Sequence, residues 1–160
     1  MACMASSDWT YRGMRTLLLE NEFLRVCVLT DKGTDIMEFS SKPADIDLMW
    51  HSPVGYRDPG TFTPTSVMSE SAFMDVYGGG WQDILPSAGW PSKHRGAEWG
   101  VHGETPLLRW NCNVERESGN EVGAKVWVEG YRYPYRVEKW FSMKTHEPKL
   151  TIREKVTNLS

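Results

Sequence analysis

Apolar and polar residues alternate at every second position through both ends of the chain, the mark of strands with one buried face. In "RTLLLENEFLRVCVLT" the apolar runs Leu17 to Leu19 and Phe23 to Leu29 flank Glu20 to Glu22, while Leu24, Val26 and Val28 alternate with Arg25 and Cys27. That pattern predicts a hairpin. Gly33 then turns "TDKGTDIMEFSS" into another strand, and "DIDLMW" supplies a fourth. The last third returns to longer runs, "PLLRWNCNVERES", "EVGAKVWVEGYRY", "PYRVEKWFSMK" and "PKLTIREKVTN", separated by turn signals at Ser118-Gly119-Asn120, Pro134 and His146-Glu147-Pro148. In the final run Leu150, Ile152 and Val156 face one way and Thr151, Arg153, Lys155 and Thr157 the other, with Glu154 interrupting the apolar face. Eight or more antiparallel strands and almost no helix predict an all-β antiparallel β-sandwich, a single domain over residues 1–160.

The middle, Pro53 to Gly103, breaks the pattern. It holds most of the glycines and "YGGGWQDILPSAGWP", and a long irregular stretch inside a compact domain is usually functional. The triple glycine permits close backbone approach to a ligand. One helical turn is predicted near Trp81 to Leu85, with Gln82 and Asp83 either capping it or offering hydrogen bonds to ligand hydroxyls. Trp81, Trp90 and Trp99 stand where no periodicity buries them, and an exposed indole face suits the C–H face of a sugar ring.

Composition narrows the partners. A net charge of −3 with no run of lysine or arginine argues against nucleic acid and against an anionic membrane surface. Lys93, His94 and Arg95 form the one compact basic cluster, read either as a solvated loop or, with Arg95 as its substrate-binding member, as a clamp for an anionic substituent on a ligand. Three cysteines lack the number and spacing of a disulfide framework or a zinc site. Without an apolar leader or spanning stretch, the default location is the cytoplasm.

The order of motifs, from the hairpin "LLLENEFLRVCVLTDKGTDIMEF" through "DLMWHSP", "GGGWQDILPSAGW" and "VHGE" to "LTIREKVTN", resembles the N-terminal half of an aldose 1-epimerase, a galactose mutarotase-like family. The resemblance implies a β-supersandwich of roughly twice this length that interconverts sugar anomers. It also implies that His102 is the histidine of the family's "HG" motif, which hydrogen-bonds the sugar near its ring oxygen. Glu104 stands where that motif has a second glycine. The family's second histidine, its general acid, and its general-base glutamate are then expected beyond Ser160. The sequence accordingly reads as the N-terminal part of such a protein, with its C-terminal half absent and its exposed strand edges open to self-association.

Read on their own chemistry, His102 and Glu104 lie on the same side of an extended segment, so the carboxylate can orient the imidazole. His102 is the catalytic candidate, and Glu104, Trp81, Gln82, Asp83 and Arg95 are the substrate-binding candidates. No cofactor or metal is expected; a cupin-like metal set through His94, His102 and Glu104 normally comes with two histidines one residue apart, which this chain lacks. The expected ligand is a small sugar. A carbohydrate-binding or sensing protein without turnover is the alternative reading of the same features.

Overall fold

The computed structural model describes residues 2–63 and 71–160. The chain runs through β1 (Cys3–Ser6), β2 (Thr10–Tyr11), β3 (Met14–Glu20), β4 (Leu24–Leu29), β5 (Asp35–Ser41) and β6 (Ile46–Asp47), then a single helical turn α1 (Ser71–Met74). It continues through the small hairpin β7 (Ser92–His94) and β8 (Ala97–Trp99), a 3-10 turn (Thr105–Leu107), and β9 (Asn111–Arg116), β10 (Ser118–Gly119), β11 (Glu121–Glu129), β12 (Tyr135–Lys144) and β13 (Leu150–Asn158).

Two antiparallel sheets form a sandwich, as the alternation predicts. One follows the order β10-β1-β3-β4-β5-β6, with β2 also paired to β3; the other is β13-β12-β11-β9. The predicted first hairpin is β3 and β4, in register from Thr16 opposite Leu29 to Glu20 opposite Arg25. Leu17, Leu19, Val26 and Val28 from the first sheet meet Val122, Ala124, Val126, Val137 and Phe141 from the second in one buried cluster. Burying a side chain of this size is worth about 1.5–3 kcal/mol, so these alternating faces hold the sheets together.

The middle of the chain departs from expectation at two points, and its residues 64–70 lie outside the described residues. No helical turn forms at Trp81 to Leu85. Trp81 instead bridges β5: its N–H donates to the Ile36 carbonyl at 3.0 Å and the Ile36 N–H returns a bond of 2.9 Å. Gly80 makes this possible, because at φ +75° it is left-handed and a Cβ there would meet the Ile36 carbonyl oxygen at 2.5 Å. The second correction is Trp99, which is buried on β8 against Tyr133, whereas Trp81 and Trp90 are exposed as expected.

Candidate functional site

A cavity of about 430 Å³ opens between the two sheets where Trp81 leaves its bridge. Thr34, Asp83, Lys139 and Glu154 form its polar wall, Trp81 its exposed aromatic wall, and apolar surface from both sheets the rest. A mostly apolar concavity with a few convergent polar groups is the usual form of a small-molecule site.

Strand geometry explains why these charges converge. Along β12, Tyr135, Val137, Phe141 and Met143 point inward, and the same period carries Lys139 inward among them, 4% exposed. Its ammonium donates to the Thr34 hydroxyl at 2.7 Å, pairs with the Asp83 carboxylate, and lies 5.1 Å from the centre of the Trp110 ring. Thr34 reaches it from the turn before β5, where its own φ is +61°. On β13, Glu154 sits directly opposite Lys139 and therefore on the same face. Lys139 is committed to Asp83, and Glu154 has no ion-pair partner among the described residues. Burial, and then the Asp83 charge, raise the Glu154 carboxyl above its ordinary pKa, against the lowering effect of Lys139.

A second charged pair lies beside this wall. Lys32 and Asp35 are both fully buried and paired, and burial pushes the Asp35 carboxyl up to about 6 against the opposing pull of Lys32. Gln82 belongs to this layer: its amide nitrogen donates to the Gly79 carbonyl and lies 3.5 Å from an Asp35 oxygen. Of the predicted Trp81–Gln82–Asp83 group, the first and third line the cavity, and the second has its amide nitrogen tied to the fold beside it.

His102 stands at the other end of the segment that begins at Trp81. Its N–H donates to the Gly89 carbonyl at 2.9 Å, the Gly89 N–H donates back to Nδ1 at 3.2 Å, and the ring meets the Phe73 ring at 4.6 Å, nearly perpendicular. With Nδ1 accepting, the neutral imidazole carries its proton on Nε2. The expected pairing with Glu104 does not form. His102 (φ +63°) and Gly103 (φ +79°) are both left-handed, which ends the two-residue alternation that the expectation assumed. Glu104 is buried instead, accepting from the Tyr135 hydroxyl at 2.8 Å and from the Arg132 N–H at 3.4 Å.

Arg95 lies in the β7–β8 turn, exposed and away from the cavity, with its guanidinium donating to the Tyr133 hydroxyl at 3.3 Å. His51 is paired with Asp47, and His94 packs edge-on to Tyr133. Among the described residues no three His, Cys, Asp or Glu side chains gather as metal ligands. Sequence reasoning missed Lys139 and Thr34. The available signal was a lysine at an inward position of an otherwise apolar alternation.

No family model matches this chain, and no curated protein matches it. Its backbone is similar to the crystal structure of a protein from Klebsiella pneumoniae subsp. pneumoniae MGH 78578 described as a "putative aldose 1-epimerase", with a TM-score of 0.70 and 11% sequence identity. The match covers 98% of this chain and 43% of the other, so the chain spans less than half the length of that protein. The β-sandwich is therefore of the kind seen in that protein, and at this identity the likeness is one of fold. No helix among the described residues is long and apolar enough to cross a membrane.

Proposed function

We propose that this chain handles a free sugar and forms part of an aldose 1-epimerase-like isomerase that interconverts its anomers by acid–base ring opening. The observation that carries the reading is the agreement of backbone over 98% of the chain with a protein so described. The geometry at His102 supports it: a ring whose Nδ1 is occupied by the Gly89 N–H presents Nε2–H as a hydrogen-bond donor for a sugar oxygen. Trp81 offers a flat apolar face, and Asp83 an acceptor for a hydroxyl. Three free thiols accord with a cytoplasmic setting.

Ring opening needs one group to take the proton of the C1 hydroxyl and another to protonate the ring oxygen, each worth about 10²- to 10⁴-fold in rate. Polarimetry of freshly dissolved α-D-glucose and α-D-galactose with the full-length protein carrying this chain tests the reading. The protein is expected to speed the change in optical rotation, and His102→Ala to lower that rate by about 10²- to 10⁴-fold if the imidazole moves a proton. No acceleration on any common aldose sinks the isomerase reading.

One observation favours the alternative of a sugar-binding protein without turnover: His102 does not line the cavity that holds Trp81 and Asp83. Calorimetric binding of an aldose, lost in Trp81→Ala and accompanied by no anomer exchange, is its signature.

A further inference from the structure

We propose that Glu104 is a positioning residue for His102: its buried carboxylate anchors the His102 turn to β12 through Tyr135 and so fixes where the Nε2–H points, without touching the sugar itself. Resting on the aldose reading above, this role differs from the substrate contact that the sequence predicts for Glu104.

The chain path couples the two side chains. His102 (φ +63°) and Gly103 (φ +79°) are both left-handed, and a methyl group on Gly103 would sit 2.1 Å from the Leu85 carbonyl oxygen. The link between imidazole and carboxylate is therefore closely packed, and a displacement of Glu104 passes to His102 rather than being absorbed between them.

Glu104 is also where the turn meets the sandwich. Among the described residues, the other hydrogen bonds of residues 100–104 go to Leu85, Gly89 and Leu107 or stay within the turn, and only the Glu104 side chain reaches a sheet. Its Oε1 accepts from the Tyr135 hydroxyl at 2.8 Å, at the start of β12, and from the Arg132 N–H at 3.4 Å, in the connection just before that strand. Glu104 is 7% exposed and Tyr135 5%, so each polar group would be stranded in the interior without the other. Burial, and then the bond to Glu104, push the Tyr135 hydroxyl above its ordinary pKa, which keeps it a donor to the carboxylate wherever an imidazole titrates.

The same junction carries the cavity wall. The Leu85 carbonyl accepts from the Glu104 and Thr105 N–H groups at 2.9 and 3.2 Å, and the Leu85 N–H donates to the Thr105 hydroxyl at 3.0 Å. The segment that bears Asp83 and the turn that bears His102 thus join at Glu104 and Thr105, and the anchor to Tyr135 sets both against β12. A misplacement of about 1 Å at a reacting group can cost about 10²-fold in rate, which is the effect the anchor prevents.

The test uses the full-length protein carrying this chain, labelled with ¹⁵N-histidine, with anomer exchange of glucose and galactose by polarimetry and binding by calorimetry. While Nδ1 accepts from Gly89, the two ring nitrogens of the neutral His102 imidazole stand far apart in ¹⁵N shift, and they converge when the tautomers interchange. Tyr135→Phe, which keeps the ring in the core, is expected to draw the two shifts together and to lower kcat by about 10²-fold with KM and affinity little changed. Glu104→Ala is expected to do the same, and the double variant to be no worse than either single, because both remove one interaction. Glu104→Gln keeps an acceptor for both donors and is expected to stay near the wild type in shifts and kcat. A Glu104→Gln protein that loses sugar affinity while its His102 shifts are unchanged makes Glu104 a sugar contact and overturns the inference. Wild-type His102 shifts in both Tyr135→Phe and Glu104→Ala overturn it as well. If neither sugar binds nor exchanges, the aldose reading fails, and the ¹⁵N shifts, read without sugar, still decide whether Glu104 holds the ring.

Discussion

Replacing Lys32 by methionine probes the most heavily buried charge in the sandwich. Lys32 and Asp35 are each 0% exposed at the side chain and are paired with each other, and the Lys32 ammonium also lies 5.9 Å from the centre of the Tyr56 ring. Asp35 has little else to lean on: one carboxylate oxygen has no hydrogen-bond partner, and the Gln82 amide reaches the other at 3.5 Å. Removing one member of such a pair leaves an uncompensated buried charge and costs about 3–5 kcal/mol. For a domain of 160 residues, at about 2–4 °C per kcal/mol, Tm then falls by roughly 6–20 °C. The double variant Lys32→Met with Asp35→Leu removes both charges together, and such replacements are often neutral or stabilising by about 1–4 kcal/mol. Urea unfolding of the wild type, both single variants and the double variant gives the coupling energy directly. The pair also sets a pH slope. Because burial raises the folded Asp35 carboxyl to about 6 from an ordinary value of 3.8, the unfolded chain loses this proton first as pH rises. Stability from this group is therefore fullest below pH ~4 and declines through pH ~6, by about 3 kcal/mol for two pKa units. Asp35→Asn is expected to lack that decline. A Lys32→Met cost below about 1 kcal/mol, or a double variant as unstable as the two singles summed, refutes the argument.

Gly103→Ala places a methyl group 2.1 Å from the Leu85 carbonyl oxygen at φ +79°, so the turn that carries His102 must shift. A loss of more than about 2 kcal/mol in urea unfolding is expected, and tolerance within about 0.5 kcal/mol contradicts the turn geometry. Burial pushes the Cys27 thiol up to about 11 from an ordinary 9.0, which leaves about 100-fold less thiolate at neutral pH. Its iodoacetamide labelling, read by peptide mass spectrometry, is expected to be slowed by at least that factor in the folded chain and restored in urea; equal rates in both contradict the burial.

What could be read from the sequence, and what could not, follows from the range of the interactions. The β3–β4 hairpin and the strands from β9 to β13 announce themselves through alternation, a local property that a two-residue period exposes. The stretch from Gly78 to Gly103 resists because its conformation depends on left-handed residues and on distant partners. Trp81 is fixed by Ile36, Leu85 pairs with Gly103, and His102 is held by Gly89, so neither a helical turn after the triple glycine nor a His102–Glu104 pair survives. The cavity itself is assembled from Thr34, Asp83, Lys139 and Glu154, which are far apart in sequence and join only when the sheets close. Even so, each strand residue leaves a trace: Lys139 and Glu154 are the charges that interrupt the inward faces of β12 and β13. A buried charge is costly without a partner, so an interruption of this kind in an apolar face implies a partner elsewhere in the fold. Two interruptions that fall opposite each other on neighbouring strands imply a shared polar site, and the pairing of the turn-flanked runs from Tyr135 to Asn158 is enough to bring them opposite. The strongest signal for this cavity was therefore the pair of charges set against the pattern that made the fold readable.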